Sequence, residues 1–140
     1  MSAPSPTNPL LGRCGCGAVR FEVRAPFTSA RYCHCHRCQR RTGTGFSASA
    51  RIPIEHFEIL AGRELIRSWE PAGGMAKAYC IECGGHVFSG RLDADFVSVR
   101  LGAVDGDPGI RPSVRQWVSS AASWEDIPDD GLPRYDEAAP

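Results

Sequence analysis

The segment Tyr32-Cys33-His34-Cys35-His36-Arg37-Cys38-Gln39-Arg40-Arg41-Thr42-Gly43 packs three cysteines, two histidines and three arginines into a dozen residues. Thiolate and imidazole are the ligands of a borderline-soft metal such as zinc. Four more cysteines stand in two other clusters, Cys14/Cys16 within Gly12-Arg13-Cys14-Gly15-Cys16-Gly17 and Cys80/Cys83 within Cys80-Ile81-Glu82-Cys83-Gly84-Gly85. Zinc holds thiolate sulfur at about 2.3 Å in a tetrahedron, so neighbouring sulfurs stand roughly 3.8 Å apart. Cysteines one or two residues apart in a turn reach that spacing, and the glycines beside them permit the positive φ a tight turn needs. Cys14, Cys16, Cys80 and Cys83 therefore suit one closed, structural zinc site. Cys33, Cys35 and Cys38 remain as a set of three, which leaves a metal one open position, as in catalytic zinc sites.

That position could take water or a small thiol, whose sulfur a metal would hold as a nucleophile beside an aldehyde. Arg31, Arg37, Arg40 and Arg41 could offset the thiolate charge and dock the carboxylates of an anionic substrate. Other arrangements stay open. A fourth ligand from His34, His36 or His86 would close the second site, and oxidation to a disulfide would remove its metal. The arginines could equally form a solvated basic face. His34 and His36 alternate with the cysteines, so they are expected to point away from the metal and into solvent. Trp69, Trp117 and Trp124 read as core or rim packing.

The elements that must position these residues are short. At 140 residues the chain fits one domain, small enough to benefit from a metal staple. Residues 1–10, with three prolines between Met1 and Pro9, read as a disordered lead-in, 11–135 as the zinc domain and 136–140 as a flexible tail. Alternating apolar and polar side chains predict strands over Ala18 to Arg24, Phe46 to Ile52, Leu65 to Trp69, Phe96 to Leu101 and Val114 to Val118. Shorter strands are expected at Phe57 to Leu60 and Val87-Phe88, with Gly73-Gly74 as a hairpin turn and one helical turn at Arg37 to Arg41. The expected fold class is mainly β, small twisted antiparallel sheets with zinc knuckles at their corners.

The formal net charge is zero, which offers no general attraction to nucleic acid or membrane. It hides an asymmetry. From Glu125 on, six acids (Glu125, Asp126, Asp129, Asp130, Asp136, Glu137) face only Arg134, so residues 1–124 carry a surplus of base, nearly all of it arginine. No apolar run is long enough to span a membrane, and Met1 to Pro9 lacks the basic and apolar regions of a signal peptide. The odd cysteine count, clustered at short spacings, predicts reduced thiols with bound metal in the cytoplasm rather than a secreted disulfide framework.

Gly12-Arg13-Cys14-Gly15-Cys16-Gly17-Ala18-Val19-Arg20-Phe21, Cys33 to Gly43 and Tyr79-Cys80-Ile81-Glu82-Cys83-Gly84 together resemble the glutathione-dependent formaldehyde-activating enzyme family, which includes the centromere protein V-like proteins. The likeness continues through Ser98-Val99-Arg100-Leu101-Gly102 and Trp117 to Asp130-Gly131-Leu132-Pro133-Arg134-Tyr135. The resemblance implies an Mss4-like fold. It also implies a structural zinc on Cys14, Cys16, Cys80 and Cys83 and a catalytic zinc on Cys33, Cys35 and Cys38. The implied activity is that of a carbon–sulfur lyase, condensing formaldehyde with glutathione to S-hydroxymethylglutathione. Two other functions fit the same residues: a non-catalytic zinc module that binds protein or nucleic acid, and a thiol redox switch at Cys33/Cys35/Cys38.

Overall fold

The structure, a computed structural model, describes residues 3–140. Among the described residues, ten strands form two sheets. The smaller is antiparallel and joins β1 (Leu10–Arg13), β2 (Arg20–Val23) and β5 (Phe57–Ala61) in that order. The larger has seven strands, β3 (Ser29–Cys33), β4 (Ser47–Pro53), β6 (Ile66–Trp69), β7 (Lys77–Cys80), β8 (His86–Gly90), β9 (Phe96–Arg100) and β10 (Arg115–Gln116). Their order across the sheet is β10-β3-β4-β9-β8-β7-β6. The mainly β class is as the alternation predicts, but the larger sheet is mixed, because β10 runs parallel to β3. One short helix, α1 (His36–Thr42), follows β3 and extends the expected helical turn by a residue at each end.

The period-2 pattern sorts each strand of the large sheet into two faces. Ala30, Ala50, Ile52, Ala78, Phe88, Val97 and Val99 join Val19, Phe21, Val23, Phe57 and Ile59 in one core. Phe57 is its hinge, with its ring centroid 5.3 Å from Phe21 and 5.4 Å from Phe88. Each valine, isoleucine or phenylalanine among them contributes about 1.5–3 kcal/mol on leaving water. The opposite face of the same strands is serine, arginine and lysine, and it lines a cavity.

Sequence patterning gave no strand at Leu10–Arg13 or Ser29–Cys33. The first is short with a glycine at its centre, and the second carries mixed side chains. Backbone pairing with β2 and with β4 supplies what local propensity lacks. Leu10, assigned to the lead-in, opens β1; before it Ser5 and Asn8 exchange backbone hydrogen bonds at 3.1 Å, and Pro4 is buried. At the other end, Tyr135 donates its N–H to the Arg115 carbonyl, Trp117 donates to the Glu137 carbonyl, and the Ala139 N–H reaches Gln116 Oε1. The acidic C-terminal segment thus runs beside β10.

Gly62 ends β5 with φ of 77°, and a Cβ there would lie 2.2 Å from the Ala18 carbonyl oxygen. Both the left-handed conformation and the close approach require glycine. Gly62→Ala is therefore expected to destabilise the protein by about 2 kcal/mol or more. An unchanged urea midpoint would contradict this packing of β5 against the start of β2.

Candidate metal centre

Four sulfurs converge between the ends of β1, β7 and the turn that follows β7. Cys14 Sγ lies 3.7 Å from Cys16 Sγ, and Cys16 Sγ lies 3.9 Å from Cys80 Sγ. With Cys83 they all fall within 4.8 Å of one another. These separations are far too long for a disulfide and match the edges of a thiolate tetrahedron. The local backbone is built for sulfur: the Val19 N–H points at Cys14 Sγ (3.3 Å) and the Gly85 N–H at Cys83 Sγ (3.4 Å). Gly17 and Gly84 take φ of 79° and 74°, as the knuckles require.

Cys33, Cys35 and Cys38 form the second group, again within 4.8 Å of one another. Cys33 closes β3, Cys35 caps α1 with its sulfur accepting the Cys38 N–H at 3.4 Å, and Cys38 is the one buried residue of the helix. Ser47 Oγ donates to Cys38 Sγ at 3.1 Å. Neighbouring sulfurs push the Cys33 thiol up and pull Cys35 down. Three thiolates this close cannot all ionise without a cation among them. Both groups can hold a metal ion, and all seven cysteines are free.

Among the described residues, no histidine joins either group. The rings of His34, His36 and His86 have other places. Both ring nitrogens of His86 are engaged, Nδ1 accepting from Arg100 Nε (3.1 Å) and Nε2 facing the Phe88 carbonyl (3.1 Å). Burial, with Arg100 and Arg41 nearby, pulls its pKa down to about 3, so it stays neutral. His36 is exposed, as expected. His34 is not: its side chain is fully buried, with Nε2 3.3 Å from Arg115 Nη1. Pointing away from the sulfurs leads here into a packed second layer, not into solvent. Arg115 in turn donates to Asp130 at 2.7 Å and lies 4.3 Å over the Tyr32 ring.

The three-sulfur group opens into a cavity of about 570 Å³, within the range usual for small-molecule sites. Its wall is set by strand register. Ser29 faces Arg51, Arg51 faces Ser98, Ser98 faces Ser89, and Ser89 faces Lys77, so one row crosses five strands. A second row runs Arg31, Ser49, Arg100, and a third pairs Cys33 with Ser47. Arg31, Arg37, Arg51, Lys77 and Arg100 line the cavity and no carboxylate does. Every ion pair among the described residues uses other cations. Arg31 donates to Gln116 Oε1 (3.1 Å), Arg37 clips α1 to the Ala72 carbonyl (2.7 Å), and Arg51 lies 3.9 Å over the Phe96 ring.

Of the four arginines expected around the site, Arg31 and Arg37 reach this cavity. Arg40 is exposed elsewhere, and Arg41 lies 5.1 Å over the Tyr79 ring. Sequence reasoning missed Arg51, Lys77 and Arg100; the polar positions alternating with Ala50, Ile52, Val97 and Val99 were the available signal. Trp117 also lines the cavity, where rim or core packing was expected. It is the one non-glycine residue with positive φ (58°) among the described residues, a cost of about 1–2 kcal/mol that its bond to the Glu137 carbonyl helps hold.

Two cysteine clusters able to hold a metal ion, one of four sulfurs and one of three facing a cavity, stand on a twisted β scaffold. The family model for the glutathione-dependent formaldehyde-activating enzyme matches residues 9–120, and the chain belongs to that family. A crystal structure of a Rhodobacter sphaeroides protein, a structural-genomics target, shares the fold with a TM-score of 0.58. The two are 22% identical over 89% of this chain and 98% of that one. No helix among the described residues is long and apolar enough to cross a membrane.

Asp130, Arg115 and His34 back the Cys33–Cys35 segment from behind the sulfurs, and groups in such positions commonly set metal affinity. Asp130→Asn is expected to release metal from the three-cysteine group about tenfold faster, with the four-cysteine group unaffected. Chelator competition with a chromogenic dye resolves the two; equal rates for variant and wild type would refute this support role.

Proposed function

We propose that the chain is a zinc-dependent enzyme of the carbon–sulfur lyase type. It would join a small anionic thiol such as glutathione to formaldehyde or another small aldehyde. The observation that carries this reading is the cavity itself, where three clustered sulfurs share a wall with five cations and no carboxylate. Cys14, Cys16, Cys80 and Cys83 would hold a structural zinc, and Cys33, Cys35 and Cys38 a second one whose remaining position faces the cavity. When bound there, zinc supplies a site that keeps a thiol ionised at neutral pH.

The chain's own residues do the rest. Arg31, Arg37 and Arg51 are placed to take the carboxylates of the thiol substrate, by planar paired hydrogen bonds. Ser47, donating to Cys38 Sγ, fixes the direction of that sulfur toward the cavity. The Ser–cation rows leave hydroxyls free to orient the aldehyde oxygen. In the reaction a sulfur–carbon bond forms, the carbonyl π pair moves to oxygen, and that oxygen takes a proton from water. Holding both reactants in one cavity supplies proximity, which alone lowers a bimolecular barrier substantially.

Family membership supports the glutathione and formaldehyde assignment. The cations turn inward to a cavity, which favours a small anion over nucleic acid. Free thiols at all seven cysteines suit a reducing compartment, and we assign the protein to the cytoplasm on that ground.

Exchange NMR with glutathione and formaldehyde tests the proposal. The zinc-loaded protein should speed adduct formation over the spontaneous rate. Arg31→Ala should raise KM for glutathione about tenfold while changing kcat little. No acceleration by protein carrying two zinc ions would refute the assignment.

A further inference from the structure

Lys77 and Arg100 differ from the other cations of the cavity. Both are buried, at 9% and 8% exposure, and neither has a carboxylate partner among the described residues. Arg100 is locked by three neutral acceptors, His86 Nδ1 (3.1 Å), Ser49 Oγ (3.3 Å) and Ser89 Oγ (3.0 Å). Lys77, the one lysine of the chain, sits across from Ser89 in the register of β7 and β8. A buried cation without a counter-charge costs several kcal/mol, and the negative groups that share its cavity are the three sulfurs.

The charges do not cancel with those sulfurs alone. Three thiolates around a divalent ion leave one negative charge, against two buried positive ones. An anionic fourth ligand closes the difference, and a neutral one does not. We infer that Lys77 and Arg100 make the open position of the three-cysteine centre select a thiolate over any neutral ligand. This inference rests on the thiol-binding reading given above. Burial and then Arg100 lower the Lys77 pKa from its ordinary value, while the sulfurs of Cys38, Cys35 and Cys33 act the other way and favour its charged form. The pair are positioning residues: they set the charge that the site accepts, while Arg31, Arg37 and Arg51 recognise the remainder of the substrate.

The test is ligand binding, not turnover. In the cobalt(II)-loaded protein, 2-mercaptoethanol reports through the sulfur-to-cobalt charge-transfer band and carries no carboxylate for the outer arginines. Imidazole serves as the neutral competitor and reports through the d–d bands. Lys77→Met should weaken 2-mercaptoethanol about tenfold and leave imidazole within about twofold. Lys77→Arg should restore thiol affinity, and Lys77→Gln, closer in shape and polarity, should repeat the methionine result if that variant folds poorly. Equal weakening of both ligands, or no weakening of the thiol, would overturn the inference. Failure of the wild-type protein to bind the thiol at all would instead remove the proposed function, and the charge argument with it.

Discussion

Backbone register across β3, β4, β9, β8 and β7 is the constraint on which the site depends. Because side chains alternate between faces, one set of strand pairings sends Ala50, Ile52, Val97 and Val99 into the core and Ser49, Arg51, Ser98 and Arg100 into the cavity. A slip of one residue would exchange the two sets, burying arginine in the core and exposing valine. The hydrophobic core therefore fixes the functional wall. Within that wall, serine separates arginine from arginine or lysine along the first two rows. Like charges directly opposite one another destabilise a sheet, so the alternation lets four cations of the strands, Arg31, Arg51, Lys77 and Arg100, share one wall that Arg37 of α1 joins.

The sulfur centres divide the remaining work. The four-cysteine group brings the end of β1 beside β7 and the turn after it, where the two sheets meet. A metal held there would pin the small sheet to the large one beside the shared core. The three-cysteine group is anchored differently. Cys33 belongs to the sheet, Cys35 caps α1, and Cys38 takes a hydrogen bond from Ser47. Behind them, His34 is fixed by Arg115, and Arg115 by Asp130 of the acidic C-terminal segment. One acid of that segment, Asp130, thus holds the layer beneath the centre.

The grouping of the cysteines into a four and a three was legible in the sequence because sulfur spacing in a turn is a local property. Cys14-x-Cys16 and Cys80-x-x-Cys83 specify their own geometry, and Cys33-x-Cys35-x-x-Cys38 is what remains. Strand positions with clean alternation, such as Phe96 to Leu101, were legible for the same reason. The cationic wall was not. Arg51, Lys77 and Arg100 are far apart in sequence, and only cross-strand pairing brings them together, whereas of the three arginines in the dense run Arg37 to Arg41 only Arg37 reaches the cavity. His34 misled in another way. Alternation gave its direction correctly, but whether that direction leads to water depends on β10 and the segment after it. Neither has a sequence signature as strong as the cysteines.

In the function proposed above, the three-cysteine centre keeps a position for an external thiol while the four-cysteine centre does not. X-ray absorption at the zinc edge of the doubly loaded protein measures this directly, by counting sulfur neighbours with and without glutathione. Sulfur coordination short of complete, rising to all-sulfur when glutathione is added, is the result expected. All-sulfur coordination before any thiol is added, or a count that glutathione leaves unchanged, would contradict the account.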